Sequence, residues 1–122
     1  MDADKIVRDF CALWEQGNID AIVDAFTEDA VYHNIPMEPC VGKDAIRSFL
    51  EGFLGGMASS VRFEIRHQLV DGNVVMNERV DTLAMESGQV ALPVCGVFEL
   101  DGAGKIRAWR DYFDMAPFSA AG

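Results

Sequence analysis

Arg79 and Asp81 stand two residues apart in a run, Asn73 to Met85, that otherwise reads as a β-strand. Side chains of a strand alternate, so the two point to one face. Their neighbours on that face are Val75, Leu83 and Met85. Asp111 repeats the pattern near the end of the chain, as the one charge on a face that also carries Trp109 and Phe113. Two acids and an arginine facing one core are expensive to bury unless they pair. Such groups concentrate at sites of proton transfer, although structural ion-pair networks share the pattern. Two separated carboxylates suit a reaction with an acid on one side of a bond and a base with its water on the other; inverting glycosidases hold theirs about 6.5–9.5 Å apart for that purpose. Tyr32 and Asn34 are also two apart and share a face. A phenol and an amide can hold a water by hydrogen bonds without competing for its proton. The plain reading of that pair is a strand end with a turn-forming Asn before Pro36.

These residues need elements to position them. Ile6, Val7, Phe10, Leu13 and Trp14 recur at helical spacing behind an Asp2 or Asp4 cap, and Gly17 ends that helix. Asn18 caps a short second helix with Ile22, Val23 and Phe26 on its apolar side. Ala30 to Asn34 is a short strand broken by Pro36 and Pro39. A third helix is predicted from Lys43 to Met57, with Ile46, Phe49, Leu50, Phe53 and Met57 in its apolar stripe. The rest reads as β. Val61, Phe63, Ile65, His67 and Leu69 alternate with polar residues, Asp71-Gly72-Asn73 signals a hairpin, and Ser87-Gly88 and Asp101 to Gly104 turn the chain twice more. Helices followed by a β-meander make an α+β chain, read as one domain over 1–122 with a loose tail at Ser119 to Gly122.

Tight hairpins would put Asp81 opposite Leu92 or Val94, and Asp111 opposite a residue near Val94. Paired residues share a face, so Asp81, Leu92, Val94 and Asp111 are expected to line one concave surface at about one level. Their strands are two apart, which starts the carboxylates about 10 Å from each other. That gap has room for an arginine bridging the acids at the floor, with a small ligand and a water above.

Composition narrows the function classes. With 122 residues, half of them hydrophobic, the chain can bury one core without staples. A net charge of −10 argues against nucleic acid or an anionic membrane as partner. Cys11, Cys40 and Cys95 are widely spaced and form no ligand motif, so neither metal nor disulfide is expected. The charged start has no apolar signal core, and no apolar run approaches the roughly 20 residues that cross a bilayer. A cytoplasmic protein is the expectation.

Four motifs in order, Tyr32-His-Asn-Ile-Pro-Met37, Glu78-Arg-Val-Asp81, Gly96-Val-Phe98 and Trp109-Arg-Asp-Tyr-Phe-Asp114, resemble the limonene-1,2-epoxide hydrolase family. That family has the cone-shaped fold of nuclear-transport-factor-2-like and ketosteroid-isomerase-like proteins. The resemblance runs from the first helix to Phe118, with His33 standing where another polar residue is expected. It implies three N-terminal helices on a strongly curved mixed sheet, an apolar pocket, and hydrolysis of a small apolar epoxide to a vicinal diol with no cofactor. In those roles Asp111 is the base, Tyr32 and Asn34 hold the water, Asp81 is the acid, and Arg79 lies between the acids. The pocket is expected to be lined by Leu92, Val94, Phe113, Phe53, Met57 and Phe118, with Trp14 and Trp109 left as core. His33 and His67 are read as structural or surface residues, His67 on the apolar face of its strand. The family commonly pairs through its sheet, which implies a homodimer. Two other classes use the same fold: a polyketide-cyclase-like or ketosteroid-isomerase-like enzyme, and a non-catalytic binding protein.

Overall fold

The computed structural model describes residues 1–121, with side chains as far as Phe118. Helix α1 (Ala3–Gln16) starts where the Asp2 carboxylate accepts from the Lys5 amide, and stops at Gly17, whose φ of 66° lies in the left-handed region. It buries Val7, Phe10, Cys11 and Trp14. Helix α2 (Ile19–Asp24) is capped by Asn18. Phe26, expected on that helix, instead opens strand β1 (Phe26–Asn34). A two-residue strand, β2 (Cys40–Val41), pairs with β1 and was not foreseen, because the prolines around it hide so short an element. Helix α3 (Lys43–Gly52) is shorter than predicted. Its last turn widens to a π-helical turn over Phe53–Met57, which contains Gly55 and Gly56.

Four long strands follow: β3 (Ala58–Asp71), β4 (Val74–Met85), β5 (Gly88–Leu100) and β6 (Ile106–Tyr112). Helix α4 (Ala116–Ala121) adds a fourth helix to the three expected. Ser119 to Ala121, expected as a loose tail, form the end of this helix, and Gly122 lies outside the described residues. The six strands form one mixed sheet in the order β2-β1-β6-β5-β4-β3. Every contact in it is antiparallel except β1 with β6, which run parallel and set Tyr32 beside Trp109 and Asn34 beside Asp111. The core lies between the helices and the inner face of this sheet, where Phe10, Trp14, Phe26, Phe98 and Trp109 pack ring against ring.

Two features of register decide what reaches the inner face. First, β3 carries a bulge between Ile65 and His67. An extra residue inverts the alternation beyond it. Gln68 therefore turns inward opposite Asn77, while His67 and Leu69, expected inside, lie outside and exposed. Second, Asp81 does fall opposite Leu92, but Asp111 falls opposite Gly96 rather than level with Val94. The connection from Asp101 to Lys105 is longer than a tight hairpin, held by the Asp101 carboxylate on the Ala103 and Lys105 amides, and a further irregularity follows at Leu100. The two acids are thus stepped along the sheet, and Arg79, opposite Val94, stands between their levels.

Candidate active site

Arg79 is the centre of the inner face. Its Nε and Nη2 donate to Asp81 Oδ1 and Oδ2 at 3.0 and 2.8 Å, one two-pronged pair. Its Nη2 and Nη1 donate to Asp111 Oδ2 and Oδ1 at 2.8 and 3.2 Å, a second. Planar guanidinium matches carboxylate geometry in this way, where an ammonium would act as a point charge. Both acids accept from the same Nη2, so their carboxylates lie much closer than the roughly 10 Å of backbone spacing. The Phe63 ring lies 4.7 Å from the guanidinium carbon and the Trp109 ring 5.8 Å.

Each acid has a different environment. Asp111 also accepts from the Trp109 indole N–H at 2.7 Å. Among the described residues Asp81 accepts only from the arginine. Burial pushes the Asp81 carboxyl up to about 6, against the pull of Arg79, and the charge of Asp111 adds to the rise. Arg79 stays charged: burial opposes its charge, but the two carboxylates outweigh that and raise it. Burial also holds the Tyr32 phenol well above its ordinary value, so Tyr32 stays protonated. Its hydroxyl donates to Asn34 Oδ1 at 3.3 Å, and its ring stacks on Trp109 at 4.4 Å.

Tyr32, Asn34, Asp81 and Asp111 open into one cavity of about 610 Å³, whose walls are otherwise almost wholly apolar. Arg79 lies beneath its floor, fully buried. All six residues expected to line a pocket do so: Leu92, Val94, Phe113, Phe53, Met57 and Phe118. Trp14, read as core, lines it as well. A small-molecule site of this kind combines apolar walls with a few convergent polar groups. Among the described residues no group of three His, Cys, Asp or Glu side chains is placed to hold a metal ion. Among the described residues no helix is long and apolar enough to cross a membrane.

The SnoaL-like domain family matches residues 7–109. Epoxide hydrolase EphG of Mycobacterium tuberculosis is 34% identical over 111 residues, which cover 89% of this chain and 71% of that protein. The chain belongs to the SnoaL-like family, on its epoxide-hydrolase side. Among solved structures, a limonene-epoxide-hydrolase-like (LEH-like) epoxide hydrolase of M. tuberculosis superposes with a TM-score of 0.84 at 30% identity, covering 98% of this chain and 87% of its own. A SnoaL-like polyketide cyclase of Shewanella denitrificans superposes with a TM-score of 0.88 over 98% of this chain and 95% of its own, at 15% identity, a likeness of fold alone.

Within this SnoaL-like fold, sequence reasoning missed four residues at the site. Trp109 holds Asp111, and its place two residues away on the same face was the available signal. Asn77 shares the face of Arg79 and Asp81, and its Oδ1 accepts from Arg79 Nη1 at 3.0 Å. Gln68 was hidden by the bulge. Gly96 leaves the space the cluster occupies: a Cβ there would lie 2.5 Å from Arg79 Nη1 and 2.8 Å from Asp111 Oδ1.

Proposed function

We propose that this protein hydrolyses a small apolar epoxide to a vicinal diol in one step. The observation that carries the reading is a single buried arginine forked onto two acids at the floor of an apolar cavity, with Tyr32 and Asn34 beside one of them. A water in the cavity accepts from the Asn34 amide and donates one proton to the Tyr32 oxygen and the other to Asp111. Asp111 takes its proton as the water oxygen bonds to an epoxide carbon. The bond from that same carbon to the ring oxygen, on its opposite face, breaks, and protonated Asp81 gives its proton to the leaving oxygen. The reaction starts from the form with Asp81 protonated, which burial favours by raising the carboxyl to about 6 against the pull of Arg79. Arg79 keeps both acids aimed and offsets the charge that moves from one to the other. The cycle closes when the proton gained by Asp111 is passed back to Asp81. Ring strain supplies much of the driving force, and each positioned acid or base contributes about 10²–10⁴-fold.

Limonene oxide, cyclohexene oxide, styrene oxide and a long-chain epoxide in oxygen-18 water form the test panel, with Asp111→Asn alongside. Label in the diol from the first turnover onward, and its loss in the variant, are expected. Unlabelled product, or none from any epoxide, overturns the reading. A ketosteroid-isomerase-like or cyclase-like reaction also needs a base, but it has no use for a water held by Tyr32 and Asn34. As part of the same reading we place the protein in the cytoplasm as a homodimer. Met76, Leu69 and Tyr112 leave an apolar stretch of the sheet exposed, which a second copy would cover. A sedimentation mass of one chain would refute the dimer.

A further inference from the structure

A guanidinium has five N–H donors, and Asp81 and Asp111 take four of Arg79's. The fifth goes to Asn77 Oδ1. Asn77 is itself held: its Nδ2 donates to Gln68 Oε1 at 3.1 Å. Gln68 is held in turn, its Nε2 donating to the Asp4 carbonyl and to Asp4 Oδ1 at 3.0 and 2.9 Å. Each amide can be oriented only one way, because each uses its oxygen toward the site and its nitrogen away from it. The line runs from the first turn of α1, where Arg8 also grips the Asp4 carboxylate, to the floor of the cavity.

We infer that Asn77 is a positioning residue for the reaction, and that the line Asp4–Gln68–Asn77 locks the plane of Arg79 so that one guanidinium serves both acids. The proposal rests on the epoxide-hydrolase reading for its reaction but not for its geometry. Without the fifth bond the planar guanidinium is free to swing about its Cδ–Nε bond or tilt toward one acid. Either motion loosens a fork, and the acid and base lose their common frame. A neutral amide suits the position because a third carboxylate there would compete for Arg79. The bulge in β3 is what makes the line possible, since without it His67 would occupy the inward position of Gln68. The charged groups facing Asn77 are Arg79, Asp81 and Asp111 at its inner end; Asp4 and Arg8 lie beyond Gln68.

Asn77→Leu and Gln68→Leu test this, through kcat and KM separately and through the titration of carbon-13-labelled aspartate carboxyls by NMR. Asn77→Leu is expected to lower kcat on the order of 100-fold, as a small misplacement of reacting groups does. KM should change less than about twofold, since the ground-state pocket is untouched. Gln68→Leu, which frees Asn77 without removing it, is expected to lower kcat about 10-fold. In both, the Asp81 carboxyl should titrate above its wild-type value, because a loosened Arg79 favours its ionised form less. Wild-type kcat and an unchanged Asp81 titration in a folded Asn77→Leu protein would overturn the proposal. If Asn77→Leu does not fold, the half-buried Gln68 decides by the same two readouts. If wild-type protein opens no epoxide, the reaction reading falls, and the NMR titration alone decides whether Asn77 governs Arg79.

Discussion

The cavity has a floor and a mouth, and the two are built on opposite principles. At the floor Arg79, Asp81, Asp111 and Asn77 are all at most 5% exposed, and every guanidinium donor is used. At the mouth Met37, Met57 and Met115 are 41–54% exposed, and the π-helical turn with Gly55 and Gly56 replaces regular helix. The floor is fixed by directed bonds between partners of defined geometry. The mouth is fixed by the bulk of flexible side chains that repack with little loss. Changes at the floor should therefore strike the rate and the fold, while changes at the mouth should alter which ligand fits.

The strongest way to break this contrast is Arg79→Leu. Removing the cation leaves two buried carboxylates facing each other, so a loss of about 3–5 kcal/mol is expected in denaturant unfolding at neutral pH, with no measurable turnover. That loss should shrink in acid as the carboxylates protonate. A variant as stable as wild type would show that the floor is not held as described. Asp111→Asn keeps the shape and removes the base, so kcat should fall about 10²–10⁴-fold with the fold intact by circular dichroism.

Gly96→Ala drives a methyl group into Arg79 and Asp111, and since neither has room to retreat, about 1–3 kcal/mol of stability should be lost along with most of the activity. The pH dependence sharpens the contrast within the floor itself. The folded chain holds the Asp81 proton more tightly than the unfolded chain, where the group titrates near its ordinary 3.8. Its share of stability is therefore complete below about pH 4 and is lost as pH rises through 6. In the proposed reaction the same group sets the alkaline limb, so kcat/KM should fall above about pH 6. Asp81→Asn should flatten the stability slope over that range. The smallest effect is expected at the mouth: Met57→Leu should shift KM about twofold or less and leave kcat unchanged, measured on the best epoxide of the panel. A large kcat effect there would dissolve the distinction.

The same contrast governs what could be read from sequence. Arg79, Asp81 and Asp111 were legible because a charge on an apolar strand face has few explanations. The order of the first three helices and of the longer strands followed from periodicity, while β2 and α4 did not; hairpin arithmetic left Leu92 or Val94 opposite Asp81, and the structure has Leu92. Gln68 was illegible because a bulge leaves no compositional mark, and one extra residue exchanges inside for outside. The level of Asp111 was misjudged because a loop closed by Asp101 looks like a tight turn when only its glycines are counted. Gly96 gave no sign of its purpose, since an empty space has meaning only once its occupants are known. The π-helical turn was concealed by an apolar stripe that continues through it in helical phase.

The parallel pairing of β1 with β6 carries a consequence for how the protein comes to exist. Asn34 finds Asp111 only after nearly the whole intervening chain has been made and folded, because β6 sits between β1 and β5 in the sheet. Closing so long a loop is an entropic burden that local contacts cannot relieve, and topologies of this kind fold slowly. The helices and the β3–β5 meander can form early, each from neighbours in sequence. The water-holding pair and the base are therefore expected to meet last, after the acid and the arginine have found their places in the meander.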